Sequence, residues 1–439
     1  MPIDKANLEG IYSIQLWDKG FWKDIIIDDL FPCNSKNIPL LTRQKSLNIW
    51  LILLEKAYAK LCSSFLKLEN LPTDQVLRNL TGAPTISVKL DLSIMNSLWE
   101  ELEKAGRHKF ITTATTPTKV NKDFGLNREK IYTILGVYSV NYGERSVKLI
   151  KLKNPIDTFE WIGEWNDFDS KWNRVSMVDK SRVGYIGAVI EGIFFMEYAD
   201  FFQLFEGVHI CYINDEYHLS SIEFTTREGE GKYYQVFLPF KGEYIFTVSQ
   251  DDAKHLSVVE ERNHSYARIT LKLGDEKGNI LDEIIRDDRD VFTGYKNDQI
   301  PEKNELQGNV YIFVRADSGK NISHSLALSC YGLNKVEFQE VKKEKANNLE
   351  EKGIFLKKIE KKEENLVKGG KIMMDYKNND NFSFIPFENY SAQGQRKSIV
   401  DRISLSPGLT FSKLISGKKE NEVLVRKTEN GIKSSRSLL

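Results

Sequence analysis

The chain has 439 residues, in which 62 lysines and arginines balance 62 aspartates and glutamates. This length is too great for one ordinary hydrophobic core, so we expect two or three domains. Apolar residues make up 41% and aromatic residues 11% of the sequence, which excludes a wholly disordered protein. The balanced charge argues against nucleic acid as a partner of the whole molecule, and only four cysteines exclude a disulfide scaffold.

The first half of the chain contains clear local patterns. β-branched residues alternate on both sides of a turn at 17–20, which predicts a hairpin over 11–28. Apolar residues then recur every three or four positions over 47–65, which predicts a helix capped by Ser46. The elements expected next, one helix and three strands, are 92–104, 110–113, 131–139 and 147–152.

The middle of the chain has a different pattern. Short alternating segments bounded by Gly, Asp, Asn or Pro predict an antiparallel β-sandwich over about 215–336. Its clearest strands are 233–238, 243–248, 266–273 and 310–316.

The C-terminal region is basic and of low complexity. From position 341 onward, 21 lysines and arginines face 13 acidic residues, and polar residues dominate. We expect disorder there, apart from one short helix at 353–362.

We expect neither a leader sequence nor a membrane helix. The first ten residues, MPIDKANLEG, are polar and acidic, unlike a signal peptide. No apolar run reaches the roughly 20 residues that a membrane helix needs. We therefore expect a soluble, cytoplasmic protein.

Three stretches resemble the calpain family of papain-like cysteine proteases. They are 20–65, with the run LLEKAYAKL; 149–172, LIKLKNPIDTFEWIGEWNDFDSKW; and 194–211, FFMEYADFFQLFEGVHIC. The resemblance implies an α+β fold, with a papain-like (calpain-type) protease core, a C2-like antiparallel β-sandwich and a disordered tail. The implied domains are a remnant of the first protease subdomain at 1–100, the second subdomain at 101–214, the sandwich at 215–337 and the tail at 338–439.

The family's chemistry needs a cysteine thiolate, a histidine base and an asparagine that orients the imidazole. The family's nucleophile lies in a Gly-x-Cys-Trp helix start upstream of the hairpin, so we expect this chain to lack it. In the family's Gly-Leu-x-x-x-His-Ala-Tyr pattern, Lys130 occupies the histidine position. A lysine is protonated near neutral pH and cannot serve there as a reversible base. The asparagine is retained as Asn154, but Ile156 and Asp157 replace the Trp-Gly that follows it in the family.

No other cysteine or histidine fits the missing roles. Cys33, Cys62, Cys211 and Cys330 do not precede a tryptophan at a helix start, so we expect them to be structural. The six histidines are scattered along the chain. His108, the nearest to the site in sequence, lies between two basic residues, which is typical of a solvated turn.

The resemblance also implies a calcium site built from carboxylates. Glu160 and Asp167 match the first group of ligands, and Glu191 keeps one acid of a later pair, whereas Ile193 replaces the other. Ca²⁺ takes six to eight oxygen ligands, so a lost carboxylate weakens the site. Two interpretations stay open: a weakened calcium site, or surface carboxylates that only form hydrogen bonds. The acidic runs at 260–261 and 287–290 resemble charged loops of the C2-like domain, but they also fit solvated turns.

These residues favour a catalytically inactive member of the family that acts as a regulatory or binding module toward protein substrates or partner proteins. The alternative is a fragment of an active calcium-dependent cysteine endopeptidase whose Cys-bearing N-terminus is missing from this chain. Lys130 counts against the alternative, because truncation does not explain an internal substitution. Without the nucleophile segment, we expect the helix at 47–65 to expose its apolar stripe. Lysine pairs at 357–358 and 361–362 could touch acidic lipid weakly, but the glutamates between and after them favour a solvated linker.

Overall fold

The computed structural model describes residues 7, 9–35, 38–39, 49–118, 124–155, 161–187, 192–276, 279–293, 305–320, 322–341 and 425–426. Three sheets organise this part of the chain, and the strand pairs in each are antiparallel. None of its helices combines the length and the apolar character needed to cross a bilayer.

The predicted hairpin is present as β1 (Ile11–Asp18) and β2 (Phe21–Asp28). Lys19 and Gly20 form its turn with positive φ angles of 44° and 82°. A Cβ atom on Gly20 would lie 2.5 Å from Ala327 Cβ, so the turn approaches the C-terminal part of the described chain too closely for a side chain. On the other edge of β1 lies the two-residue strand β17 (Val425–Arg426). The rest of the tail, including the helix predicted at 353–362, is outside the described residues.

Helix α1 (Trp50–Leu61) corresponds to the predicted helix, whose first positions lie outside the described residues. Its stripe is not exposed, and that expectation was wrong. Leu51, Leu53 and Tyr58 have relative exposures of 0%. They pack in one cluster with β1, with helix α2 (Thr73–Thr81) and with two residues from distant segments, Cys211 and Tyr331. β1 and α2, together with two residues from distant segments, therefore cover the apolar stripe of α1.

The second sheet has six strands and carries the candidate site. Its order is β3-β8-β4-β5-β6-β7. These strands are β3 (Thr85–Lys89), β4 (Ile111–Thr115), β5 (Ile131–Tyr142), β6 (Arg145–Lys153), β7 (Ile193–Glu197) and β8 (Gly207–Cys211). The helices around it are α3 (Met95–His108), α4 (Met177–Val183) and α5 (Tyr198–Leu204), with 3₁₀ turns at Phe65–Asn70, Leu92–Ile94 and Ser170–Arg174. Trp99 and Tyr198 belong to the main cluster of this sheet, while Trp165 and Trp172 form a separate cluster with β6.

The third sheet has eight strands. Six of them follow the order β12-β11-β14-β10-β15-β9, and the short strands β13 and β16 each pair with β10. Its strands are β9 (His218–Arg227), β10 (Gly231–Ser249), β11 (Arg268–Asp275), β12 (Ile280–Arg286), β13 (Asp290–Phe292), β14 (Glu305–Asp317), β15 (Ser323–Gly332) and β16 (Gln339–Glu340). The strands predicted at 233–238 and 243–248 are one long strand, β10. Its first half pairs mainly with β14 and its second half with β15, with an irregularity between Leu238 and Gly242. One core cluster contains residues of both halves, so β10 contributes to a single core along its length.

Ion pairs connect this third sheet and its loops to the N-terminal hairpin and helices. The loop after β10 includes a 3₁₀ turn (Ala253–His255) and helix α6 (Val258–Asn263), which begins with a capping box at Ser257. The connecting pairs are Asp18–His255 (2.8 Å), Lys19–Asp251 (3.0 Å), Lys67–Glu261 (2.9 Å) and Arg78–Asp290 (3.3 Å). Glu261 and Asp290, which belong to the two acidic runs noted in the sequence, are therefore largely covered at this contact.

Candidate active site

Lys130 lies at the end of the six-stranded sheet, immediately before β5. Its backbone N–H donates to Thr116 Oγ1 (3.0 Å), and its carbonyl accepts the Thr116 backbone N–H (3.1 Å). Thr116 is fully buried, and its hydroxyl donates to the carbonyl of Asn127 (2.7 Å). Main-chain contacts hold position 130, so the strand end keeps its geometry whichever side chain stands there.

Asn154 occupies the matching end of the neighbouring strand. β5 and β6 pair with Thr133 opposite Lys153, so the residue after Lys153 lies beside the beginning of β5. Asn154 is 1% exposed, and its backbone N–H donates to the carbonyl of Gly192 (2.6 Å). The structure thus brings the two positions inferred from the sequence, 130 and 154, to adjacent strand ends. Ile156 and Asp157 lie outside the described residues.

Aromatic side chains line the core beside these strand ends. The Trp161 ring lies 5.7 Å from that of Phe124 and 6.3 Å from that of Phe194, and its Nε1 donates to the carbonyl of Glu164 (2.7 Å). Tyr132 belongs to the same cluster, and burial raises the pKa of its phenol. A Cβ atom on Gly163 would lie 2.0 Å from the Trp161 ring, so glycine is required for the indole to take this position. Sequence reasoning counted Trp161 only as a motif residue and missed this packing.

The buried cysteines are poor candidates for a substitute nucleophile. Burial raises the pKa of the Cys62 thiol to about 12 and raises that of Cys330 as well. Burial also raises the pKa of Cys211, whose sulfur lies 3.3 Å from Thr81 Oγ1. A thiol with a raised pKa is almost entirely protonated at neutral pH and reacts slowly. Cys33 is exposed, and its Sγ lies 3.5 Å from the carbonyl of Phe31.

Of the three residues suggested for calcium, the structure describes only Asp167. Glu160 and Glu191 lie outside the described residues. Asp167 is half-buried, and its backbone carbonyl accepts the hydroxyl of Tyr185 (2.9 Å). Burial lowers the pKa of Lys151, and the charge of Asp167 opposes that change, so an ammonium group lies near this carboxylate. Within the described part of the chain, no three His, Cys, Asp or Glu side chains converge in a way that could hold a metal.

The histidines divide into exposed and half-buried groups. His108 is exposed at the end of α3, where its ring stacks on Phe110 at 5.3 Å, in agreement with a solvated position. His209 is half-buried on β8, where its ring nitrogens lie 2.7 Å from Ser87 Oγ and 2.9 Å from Thr115 Oγ1. Sequence reasoning did not single out His209, because its two partners are 122 and 94 residues away in the chain.

Comparisons with known proteins find similarity to one protease family. Residues 2–212 match the model of the "Calpain family cysteine protease". This match covers just under half of the chain, so it identifies a calpain-like region and not the whole protein. It is 30% identical to rat (Rattus norvegicus) calpain-9 over 212 residues, which cover 47% of this chain and 30% of that protein. It is 28% identical to the human calpain-1 catalytic subunit over 207 residues (46% and 29%), and 29% identical to a Schistosoma mansoni calpain over 222 residues (49% and 29%).

The matched region therefore spans about three tenths of the length of these calpains. It contains the whole six-stranded sheet and ends one residue after β8. The eight-stranded sheet lies beyond it, so the calpain match supports the protease core and not the third sheet.

Proposed function

We propose that this chain does not cleave peptides by the calpain family's cysteine mechanism and instead acts as a regulatory or binding module for protein partners. One inference carries the proposal: motif spacing assigns Lys130, at the end of a strand, to the position of the family's histidine base. Neighbouring main-chain contacts hold that strand end in place. Lysine as a residue type has an ordinary pKa far above 7, so it is a poor general base for a thiol near neutral pH.

The domain organisation supports a binding role. We propose that residues 1–100 and 101–214 correspond to the two protease subdomains, with the first incomplete. Residues 215–337 would form a C2-like sandwich, and 338–439 a tail. Antiparallel pairing and a single core cluster in the third sheet support this assignment. Its ion pairs to the hairpin and to α2 would present both parts to a partner as one unit.

A protease assay tests the proposal. The purified chain is incubated with fluorescently labelled casein, with and without calcium, and a cysteine-directed epoxide inhibitor serves as the control. We expect no turnover in either condition. Calcium-dependent cleavage that the epoxide blocks would overturn the proposal.

The alternative is that the chain is a fragment of an active calcium-dependent cysteine endopeptidase. It would be favoured if a transcript reads in frame through an upstream Gly-x-Cys-Trp segment. The extended protein is then compared with its Lys130→His variant. Activity of the extended protein with Lys130 in place supports the alternative, whereas activity of the variant alone shows that Lys130 is what inactivates the site.

Calcium at Glu160, Asp167 and Glu191 remains a proposal that needs its own measurement. A weakened site should give sensitised terbium luminescence that calcium displaces and that Asp167→Asn reduces. Luminescence that is unaffected by Asp167→Asn would favour the second interpretation, in which these carboxylates only form hydrogen bonds. Weak contact of the tail with acidic lipid is tested by vesicle flotation of the whole chain with and without phosphatidylserine.

A further inference from the structure

A row of polar side chains crosses the six-stranded sheet on one face. Cross-strand register places Ser87 opposite His209, His209 opposite Thr113, and Thr113 opposite Thr133. Their immediate chain neighbours, which point to the other face, belong to the main buried cluster: Ile86, Val88, Val208, Ile210, Ala114, Tyr132 and Ile134. Because successive side chains of a strand alternate between faces, the polar row points away from that cluster.

His209 is the centre of this row. Its Nδ1 lies 2.7 Å from Ser87 Oγ, and its Nε2 lies 2.9 Å from Thr115 Oγ1. All three residues are half-buried, so each keeps some contact with solvent. Burial lowers the pKa of His209, and the nearby charge of Asp74 opposes this change. The imidazole is therefore neutral near pH 7, with one nitrogen as a donor and the other as an acceptor.

We propose that Ser87 and His209 form a nucleophile–base pair that transfers acyl groups from activated esters, separate from the Lys130 position. The proposal uses the tautomer in which Ser87 O–H donates to Nδ1 and Nε2–H donates to Thr115 Oγ1, which both distances allow. This is the arrangement of a nucleophile, a base and a group that orients the base. Thr115 is a positioning residue, because it acts through the imidazole.

The chemical step balances without a further reactant. Ser87 Oγ attacks the ester carbonyl, its proton passes to His209 Nδ1, and the bond to the leaving alcohol breaks as that alcohol takes the proton. Water then attacks the acyl-serine and gives a proton to Nδ1, and this proton returns to Ser87 Oγ as the carboxylic acid leaves. Activated esters are the appropriate substrate class, because their alcohol leaving groups depart without strong general-acid catalysis.

A second polar group lies on the row beside His209. Thr113 is the cross-strand neighbour of His209, is 1% exposed, and its Oγ1 has no hydrogen-bond partner among the described residues. A buried hydroxyl without a partner is unfavourable, so a donor at this position favours the arrival of an oxygen atom. The row thus combines a nucleophile, a base and a spare donor on adjacent strands.

The test uses the whole chain and two reagents, a fluorophosphonate label and p-nitrophenyl acetate. We expect peptide mapping to find the label on Ser87, and Ser87→Ala to abolish labelling while the exposed control Ser93→Ala leaves it unchanged. His209→Gln should slow labelling by about 100-fold or more, the usual contribution of a general base. Thr115→Val should slow it less, and the labelling rate of the unmodified chain should rise with pH as an imidazole loses its proton.

Ser87→Cys keeps the proposal falsifiable if the alanine variant is poorly folded. Its thiol should react with iodoacetamide faster than Cys33 and with the same imidazole pH profile. The proposal is overturned if the unmodified chain is not labelled or is labelled elsewhere. It is also overturned if a folded Ser87→Ala variant, with an unchanged melting temperature, turns over ester at the original rate. In that case the hydrogen bonds of His209 only hold the sheet together.

Discussion

Removing the carboxylate of Asp290 should destabilise the N-terminal part of the molecule, although Asp290 belongs to the third sheet. Its Oδ2 lies 2.8 Å from Arg289 Nε and 3.3 Å from Arg78 Nε on α2, and its side chain is 10% exposed. Burial alone would raise the pKa of Asp290, but Arg78 and Arg289 outweigh it and lower the pKa to about 2. The reduction of the pKa from its ordinary value of 3.8 corresponds to about 2 kcal/mol of stabilisation.

Asp290→Asn removes this charge and leaves two buried guanidinium groups close together. Breaking a buried ion pair costs about 3–5 kcal/mol, because the remaining charge loses its partner. Arg289 also faces Asp252 (3.5 Å) and Asp74 (3.7 Å), so only Arg78 loses its main carboxylate partner. We therefore expect the lower end of this range, a loss of about 3 kcal/mol at pH 7.

Tryptophan fluorescence during urea unfolding measures the stability of the N-terminal part of the molecule. The seven tryptophans lie between Trp17 and Trp172, so their signal reports the hairpin, α1 and the six-stranded sheet, not the third sheet. The control is Asp287→Asn, an exposed carboxylate in the same loop, which should change stability by less than about 0.5 kcal/mol. If both variants unfold at the same urea concentration, the ion pair does not couple the two parts, and the reasoning fails.

The pH dependence of the same comparison has a definite sign. A carboxyl group with a lowered pKa stabilises the folded protein above its unfolded pKa of about 3.8, and this contribution is lost as pH falls through about 2. The stability difference between the original chain and Asp290→Asn should therefore narrow below pH 4. A difference that stays constant down to pH 2 would show that packing, not charge, is lost.

Three further predictions concern the core and the candidate site. Of the four cysteines, Cys33 should be alkylated by iodoacetamide in the folded chain well before the other three, as seen by mass spectrometry, because the others are buried. Gly163→Ala should force the Trp161 ring to move, with a loss of about 1–3 kcal/mol and a shift in tryptophan emission; an unchanged spectrum would contradict the packing. Thr116→Val should cost about 1–3 kcal/mol in urea unfolding, because it removes the hydroxyl that donates to the Asn127 carbonyl and accepts the Lys130 N–H.

Local patterns predicted the elements around the candidate site well. The hairpin, α1, α3, β5 and β6 lie close to their expected positions, because each has a regular spacing of apolar residues that a local pattern detects. Motif spacing assigned Lys130 and Asn154 to the family's histidine and asparagine positions, and that assignment stays a prediction; the sheet register places the two residues at adjacent strand ends. The long strand β10 was divided in two, because Pro239 and Gly242 interrupt its alternation where the strand changes partner.

Contacts between distant segments could not be predicted in the same way. The sequence predicts that the apolar stripe of α1 is exposed, because no local pattern shows what covers it. It is instead buried against β1 and α2, in a cluster that also includes Tyr331 from β15. The pair of Ser87 and His209 has no local pattern at all, because only the order of β3 and β8 in the sheet makes them neighbours.

Neighbouring residues of the acidic run at 287–290 differ sharply in how exposed their side chains are. Asp287 is exposed, as a solvated turn requires, whereas the side chains of Arg289 and Asp290 are 14% and 10% exposed and join the chain of charges that ends at Arg78. The sequence could not distinguish these neighbours, because their burial depends on where α2 docks. A binding partner that separated the third sheet from α2 would have to solvate these buried charges. Any regulatory role of the third sheet therefore requires either that the two parts stay together or that the partner supplies compensating charge.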